Sequence, residues 1–260
     1  MKVKITLSLV VLGLFIQCKE DKTKKSVQKV EKLSALNSYN FIEKSSIKFQ
    51  FFSDSSYIFT IIEKGKNHNK RETFNDFCYS KNDTIYFSPT RFPYNRSEKA
   101  VIKNNFIEFI GGEFPLKIEI QKNLLQTKNK LNLQKYNNYA FFSFEEEFHK
   151  NYFNYKPNTI KASDLNQKEL VEMDQILKKS FSDNASKLRK FDKYVYQCIV
   201  IINENQEKEI LINSYCKDPR DEKGFKYSLI QMNDGGNCNI SLKINLTKHN
   251  YSDLNISGSA

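Results

Sequence analysis

Tryptophan is absent from this chain, and arginine is scarce. Arg71, Arg91, Arg96, Arg189 and Arg220 are the only five, against 36 lysines (41 − 5). That imbalance decides how the formal charge of +11 is read. A basic surface neutralises phosphate, but nucleic-acid readers lean on the bidentate, stacking guanidinium, which lysine does not copy. The lysines are spread along the whole chain, as on a solvated surface, so no nucleic-acid partner is expected. Glycine (8) and proline (5) are also sparse. There is no GxSxG, P-loop, GxGxxG or papain-like cysteine motif. Metal-ligand spacings such as CxxC and HxxxH are missing as well. No cofactor and no metal site are expected, and the chain reads as non-enzymatic.

What is present begins at the N-terminus. Ile5–Ile16 carries no charge over twelve residues, with Lys2 and Lys4 before it and a charged stretch from Lys19. A bilayer-spanning helix needs about 20 apolar residues, so this run has instead the size and flanks of a secretory h-region. Phe15, Ile16 and Gln17 suit ordinary signal peptidase poorly. The stretch ending in Leu14-Phe15-Ile16-Gln17-Cys18 resembles the lipobox of bacterial lipoproteins, with Gln17 where that family usually has a small residue. The resemblance implies removal of residues 1–17 and attachment of lipid to the Cys18 thiol. Lys19-Glu20-Asp21 resembles the export signal of Bacteroidota lipoproteins, which implies display on the cell-surface side of the outer membrane. The periplasmic face is the competing placement. Abundant Lys, Asn, Ile, Phe and Tyr agree with an AT-rich source.

Residues 18–44 are expected to be the lipidated cysteine and a polar tether, since KEDKTKKSVQKVEK holds almost no apolar material. The fold class is α+β: an N-terminal antiparallel β domain over 45–122, a linker region over 123–158, and a C-terminal helix-plus-antiparallel-meander domain over 159–260. IKFQFF and SYIFTII have strand composition. Gly111-Gly112 reads as a hairpin turn. In LKIEIQ, Leu116, Ile118 and Ile120 alternate with Lys117, Glu119 and Gln121, the pattern of a half-buried strand. Asp164 and Gln167 have capping-box spacing before a helix whose core face is Leu170, Met173, Ile176, Leu177 and Phe181. YVYQCIVIIN, KEILINSYC, FKYSLIQM and ISLKINL read as four successive strands, with Asp234-Gly235-Gly236 as the last hairpin turn. From INENQEKEILINSYC, MNDGGNC, LKINLTK and the ending NISGSA, residues 165–260 resemble an uncharacterised set of Bacteroidota lipoproteins and secreted proteins. That resemblance implies no activity.

Cys78, Cys198, Cys216 and Cys238 allow three full disulfide pairings, and the pairing stays open. In a simple meander Cys198 and Cys216 are offset, and Cys216 lies about eight residues of strand from Cys238, far beyond disulfide reach. A Cys216–Cys238 bond would mean a different strand order. His68, His149 and His249 are far apart in sequence. Glu145-Glu146-Glu147 beside His149 reads as a solvated helix face. Asp83-Thr84-Ile85 resembles the O-glycosylation site of exported Bacteroidota proteins, which would modify Thr84. Asn-x-Ser/Thr at Asn95 and Asn245 is what an Asn-rich chain shows by chance.

The expected function is that of a lipid-anchored envelope lipoprotein, a non-enzymatic binding or structural module with a protein partner. The alternative is an inhibitor or immunity lipoprotein that neutralises a toxin or hydrolase through its basic face.

Overall fold

A computed structural model describes residues 29–37, 45–65, 69–128, 131–153 and 158–258. Cys18 and His68 lie outside the described residues. Nine strands form the first sheet: β1 (Glu31–Asn37), β2 (Ser45–Phe52), β3 (Ser56–Lys64), β4 (Asn69–Phe77), β5 (Tyr79–Lys81), β6 (Thr84–Tyr86), β7 (Lys99–Lys103), β8 (Phe106–Ile110) and β9 (Leu116–Asn123). Their spatial order is β4-β3-β2-β1-β9-β8-β7-β6-β5, all antiparallel. The two ends of that order are consecutive pieces of one chain segment. β4 pairs with β3, the chain bends at the buried Cys78, and β5 pairs with β6. The sheet therefore nearly closes on itself.

Period-two alternation explains what lies inside. Ile47, Phe49 and Phe51 of β2, Tyr57, Phe59 and Ile61 of β3, and Leu116, Ile118 and Ile120 of β9 share one buried core. The β6–β7 connection enters that core rather than skirting it. Phe92 is fully buried, with ring centroids 4.6 Å from Phe109, 4.8 Å from Phe59 and 4.8 Å from Phe87. These aromatic pairs fill the cylinder with closely packed rings. The connection is pinned by Asn95, whose amide donates to the Phe114 carbonyl (2.9 Å) and whose carbonyl oxygen accepts from Glu113 N–H (2.7 Å). A Cβ on Gly112 would come within 2.5 Å of Ser97 Oγ, so glycine is required there for close approach.

The second sheet contains β10 (Tyr139–Phe142), β11 (Lys161–Ala162), β12 (Tyr194–Ile202), β13 (Lys208–Cys216), β14 (Asn239–Asn245) and β15 (Asn250–Ile256). Helices α1 (Glu146–Phe153) and α2 (Gln167–Asp183) belong to the same half of the chain. The order is β10-β12-β13-β14-β15, with β11 on β12. Leu170, Met173, Leu177 and Phe181 of α2 pack on one face of this sheet, as their helical spacing predicts.

Several expectations are corrected. β1 lies inside the segment assigned to the tether and is central in the first sheet, because Leu33 and Ala35 are needed by its core. α1 lies inside the segment assigned to the linker, and so does β10, although YAFFSF is apolar enough to be read as a strand there. β10 runs parallel to β12, so the second sheet is not wholly antiparallel. The helix cap is Asn166 with Glu169, two residues past Asp164. Residues 225–232 form no strand. Their apolar side chains Phe225, Leu229 and Ile230 lie flat on the free face of the second sheet. β14 therefore pairs directly with β13, setting Tyr215 opposite Asn239. Asp234-Gly235-Gly236 leads into a 3-10 turn rather than a hairpin, with Gly235 at φ 116° and Gly236 at φ 53°.

This order brings Cys216 and Cys238 together as a disulfide, Cα–Cα 4.7 Å. The meander expectation that kept them apart fails with the strand that carried it. Cys78 and Cys198 are buried free thiols, and burial pushes Cys78 up to about 12.

Truncating the central ring tests the packing. Phe92→Ala is expected to cost about 3–5 kcal/mol, read as a lower urea midpoint at unchanged slope. A loss under about 1 kcal/mol would mean that the cylinder is not closed around this ring.

Candidate functional site

The period that points Ile107, Phe109, Ile118 and Ile120 inward points Lys103, Glu108, Lys117 and Glu119 outward. On a solvated sheet these charges would meet water. Here the outer face of β7–β9 is covered by the second sheet, and Lys117 is only 6% and Glu108 only 4% exposed. Lys117 Nζ lies 3.0 Å from Glu108 Oε1 and donates to the Phe141 carbonyl. It also sits 3.9 Å from the Phe142 ring centroid and 4.7 Å from that of Phe106. Glu108 accepts from Ser143 N–H (3.0 Å) and from its hydroxyl. Two further bonds cross the junction: Lys103 Nζ to Asp164 Oδ1 (2.7 Å) and Tyr227 Oη to Glu119 Oε2 (2.6 Å).

Burial pushes the Glu108 carboxyl up, but the Lys117 and Lys103 charges and the Ser143 hydroxyl outweigh it and hold it below the usual range. Burial likewise lowers Lys117, and Glu108 offsets only part of that. Each charge is thus tolerable only because the other is present. A crevice at the Lys103–Asp164 bond, lined also by Phe141 and Val200 among others, admits no more than about one water molecule. This geometry can fasten two sheets together.

A second polar group flanks the junction. Glu145 precedes α1, and its carboxylate accepts from Gly111 N–H (2.8 Å), tying the β8–β9 turn to the second half of the chain. Burial raises its pKa to about 7, with the Gly111 N–H lowering and the Glu108 charge adding to the shift. His149 is 3% exposed and its Nδ1 accepts from the Glu145 N–H (2.8 Å), which fixes the proton of the neutral ring on Nε2. Burial lowers its pKa to about 4. The reading of Glu145 as part of a solvated helix face is therefore corrected. α1 starts one residue later, and only Glu147 of the three glutamates is exposed.

The residues 217–237 between the disulfide cysteines form a strap across the free face of the second sheet. Gln197 holds it from beneath: its amide donates to the Phe225 and Ser228 carbonyls (both 2.7 Å), and its oxygen accepts from Ile230 N–H (2.9 Å). Tyr215 Oη donates to the Ile230 carbonyl (2.8 Å). The strap's Tyr227 reaches Glu119 of the first sheet, so a disulfide-closed loop joins the two halves.

Other sequence-singled residues are scattered. Thr84 follows the tight Asn82-Asp83 turn between β5 and β6, where both turn residues have positive φ, and it is half-buried. Asn95 and Asn245 are buried, so neither side chain presents itself for glycosylation. His249 is exposed and meets Glu172. His149 and His249 are not brought together with carboxylates into a metal-binding group among the described residues. Glu108 and Lys117 were not singled out from sequence. The available signal was FIEFI, apolar on both parities apart from Glu108, as a strand covered on both faces would be.

Lys117→Met leaves Glu108 buried and unpaired, and is expected to cost about 3–5 kcal/mol in urea unfolding. Lys117→Met with Glu108→Leu is expected to recover most of that loss. A double variant as unstable as the single one would contradict this account of the pair.

The pH dependence has a definite sign. Glu145, raised from 4.5 to about 7, contributes stability that is complete below about pH 4.5 and lost as pH rises through 7. His149, lowered from 6.5 to about 4, contributes stability present above 6.5 and lost as pH falls toward 4. Between those limits unfolding moves one proton from Glu145 to His149, and the two slopes cancel. Relative to wild type, Glu145→Gln should make stability rise with pH in that window, and His149→Phe should make it fall. Parallel curves for all three proteins would show that neither group is shifted.

Comparison of the chain with protein-family models, with curated proteins and with solved structures gives no match.

Proposed function

We propose that this chain is a lipid-anchored envelope lipoprotein, displayed on the outer-membrane surface, that acts as a non-enzymatic binding or structural module. The observation that carries the reading is LFIQCKEDK, an uncharged run ending at Cys18 and followed at once by Lys19-Glu20-Asp21. Two features of the fold support it. The Cys216–Cys238 disulfide suits an oxidising compartment, which the envelope provides and the cytosol does not. The twelve residues 19–30 separate Cys18 from β1, a contour length of about 40 Å. Two or three acyl chains on Cys18 would bind a membrane firmly, where one holds only marginally.

The working part is an N-terminal β domain joined to a C-terminal α+β domain. Its cylinder is filled by Phe92 and its neighbours, so a ligand carried inside would have to displace an aromatic core. Recognition at the outer surfaces is the remaining mode, and a protein partner in the envelope fits it best.

Cys18→Ser is expected to move the protein from the membrane fraction to the soluble fraction and to abolish palmitate labelling. Membrane attachment that survives the substitution would sink the proposal.

A further inference from the structure

The first sheet closes at one end and gapes at the other. At Cys78 the N–H donates to the Ser55 carbonyl (2.8 Å), which holds the bend against β3. Beyond it β5 pairs with β6, but before it β4 pairs with β3 alone among the described strands. The far edge of β4 therefore faces a gap. The gap is an open groove of about 390 Å³, with Phe74 and Pro93 in its lining and Asp76, Thr90, Arg91 and Arg96 around them.

Free edges of this kind are usually blunted by shortness, proline, a bulge or charged side chains. The edge strand β15 uses a bulge: its ladder shifts register opposite Ser241–Lys243, and Asp253 has φ 55°. β4 has charges, Lys70, Arg71 and Glu72 in its first half and Asp76 near its end, but neither proline nor bulge. It runs nine residues in unbroken register from Asn69 to Phe77, and its Thr73–Asn75 stretch, which lines the groove, carries no charge. An unpaired edge is a template for strand addition.

The charges around it select the occupant. A chain with 36 lysines and five arginines puts two of the five, Arg91 and Arg96, on this one groove. Guanidinium forks suit carboxylates in a way ammonium does not. The groove's own carboxylate, Asp76, already accepts from Thr90 Oγ1 (2.9 Å) and Phe77 N–H (2.8 Å). Arg91 meets Glu98 (2.7 Å) with both side chains more than half exposed, a pairing worth little and easily exchanged. A second copy of this chain fits less well, because a two-fold pairing of β4 edges would bring the same cationic patch toward itself.

We propose that the β4 edge takes up an extended acidic segment of a partner protein by strand addition, its carboxylates meeting Arg91 and Arg96. The inference rests on the binding-module reading and gives it a surface and a partner chemistry.

The test uses the full mature chain and a capped octapeptide alternating glutamate and threonine. Binding is read by fluorescence anisotropy, and protection by amide exchange over residues 69–77. The peptide should bind and should slow exchange in β4. A lysine-for-glutamate peptide, a peptide N-methylated at alternate backbone nitrogens, and the Arg91→Ala/Arg96→Ala variant should each weaken binding at least about tenfold. Equal binding of the N-methylated peptide would show charge attraction without strand addition and overturn the proposal. Unchanged exchange in β4, or no binding, would do the same. So would a concentration-dependent dimer that protects residues 69–77, which assigns the edge to a second copy. Wild type and the double-arginine variant holding the same envelope partner equally would remove the groove yet leave the binding-module reading standing. A wild type that holds no partner at all would remove both.

Discussion

Lys117 occupies a position that a strand's alternation ordinarily gives to water, and the two sheets meet over it. Taking an ammonium and a carboxylate out of water is costly, and mutual attraction repays the cost only with good geometry and further hydrogen bonds. Lys117 and Glu108 have both: a 3.0 Å contact, the Phe141 carbonyl, the Ser143 amide and hydroxyl, and aromatic faces on either side. The pair need add little net stability to matter. Its directional bonds fix how the second sheet lies on β7–β9, where an apolar contact would tolerate sliding.

That fixed junction shapes what the molecule can do. The first sheet spends its interior on aromatic packing, and the second spends one face on α2 and the other on the strap and the junction. Among the described residues, no layer is left over for an internal ligand. The chemistry available to a partner lies on edges and outer surfaces. The disulfide serves the junction by closing the strap that carries Tyr227 to Glu119.

Much of the secondary structure was legible because it follows from local periods. Leu116, Ile118 and Ile120 are inside, Leu170 through Phe181 line a helix face, and YVYQCIVII is a strand buried on both sides. What failed required knowledge of distant partners. FKYSLIQM has strand composition, yet the side chains of Gln197 and Tyr215 take its backbone groups and β13 takes β14 instead. β1 was hidden because Leu33 and Ala35 are few apolar residues beside a charged run, and only the closed sheet shows that they complete its core. The junction was the least legible part. Alternation assigns Lys117 to solvent, and nothing near it in sequence announces that residues 141–143 will cover it. Glu145 was misread for the same reason, since its bond to Gly111 of the β8–β9 turn cannot be seen from the helix it precedes.

Native-state hydrogen exchange tests the central claim that the junction makes the two sheets one cooperative body. The slowest amides of β8 and β9 and those of β12 and β13 should exchange through a single global opening, with the same free energy and the same dependence on denaturant. Separate openings, one sheet exchanging at a distinctly lower free energy while the other stays closed, would contradict it.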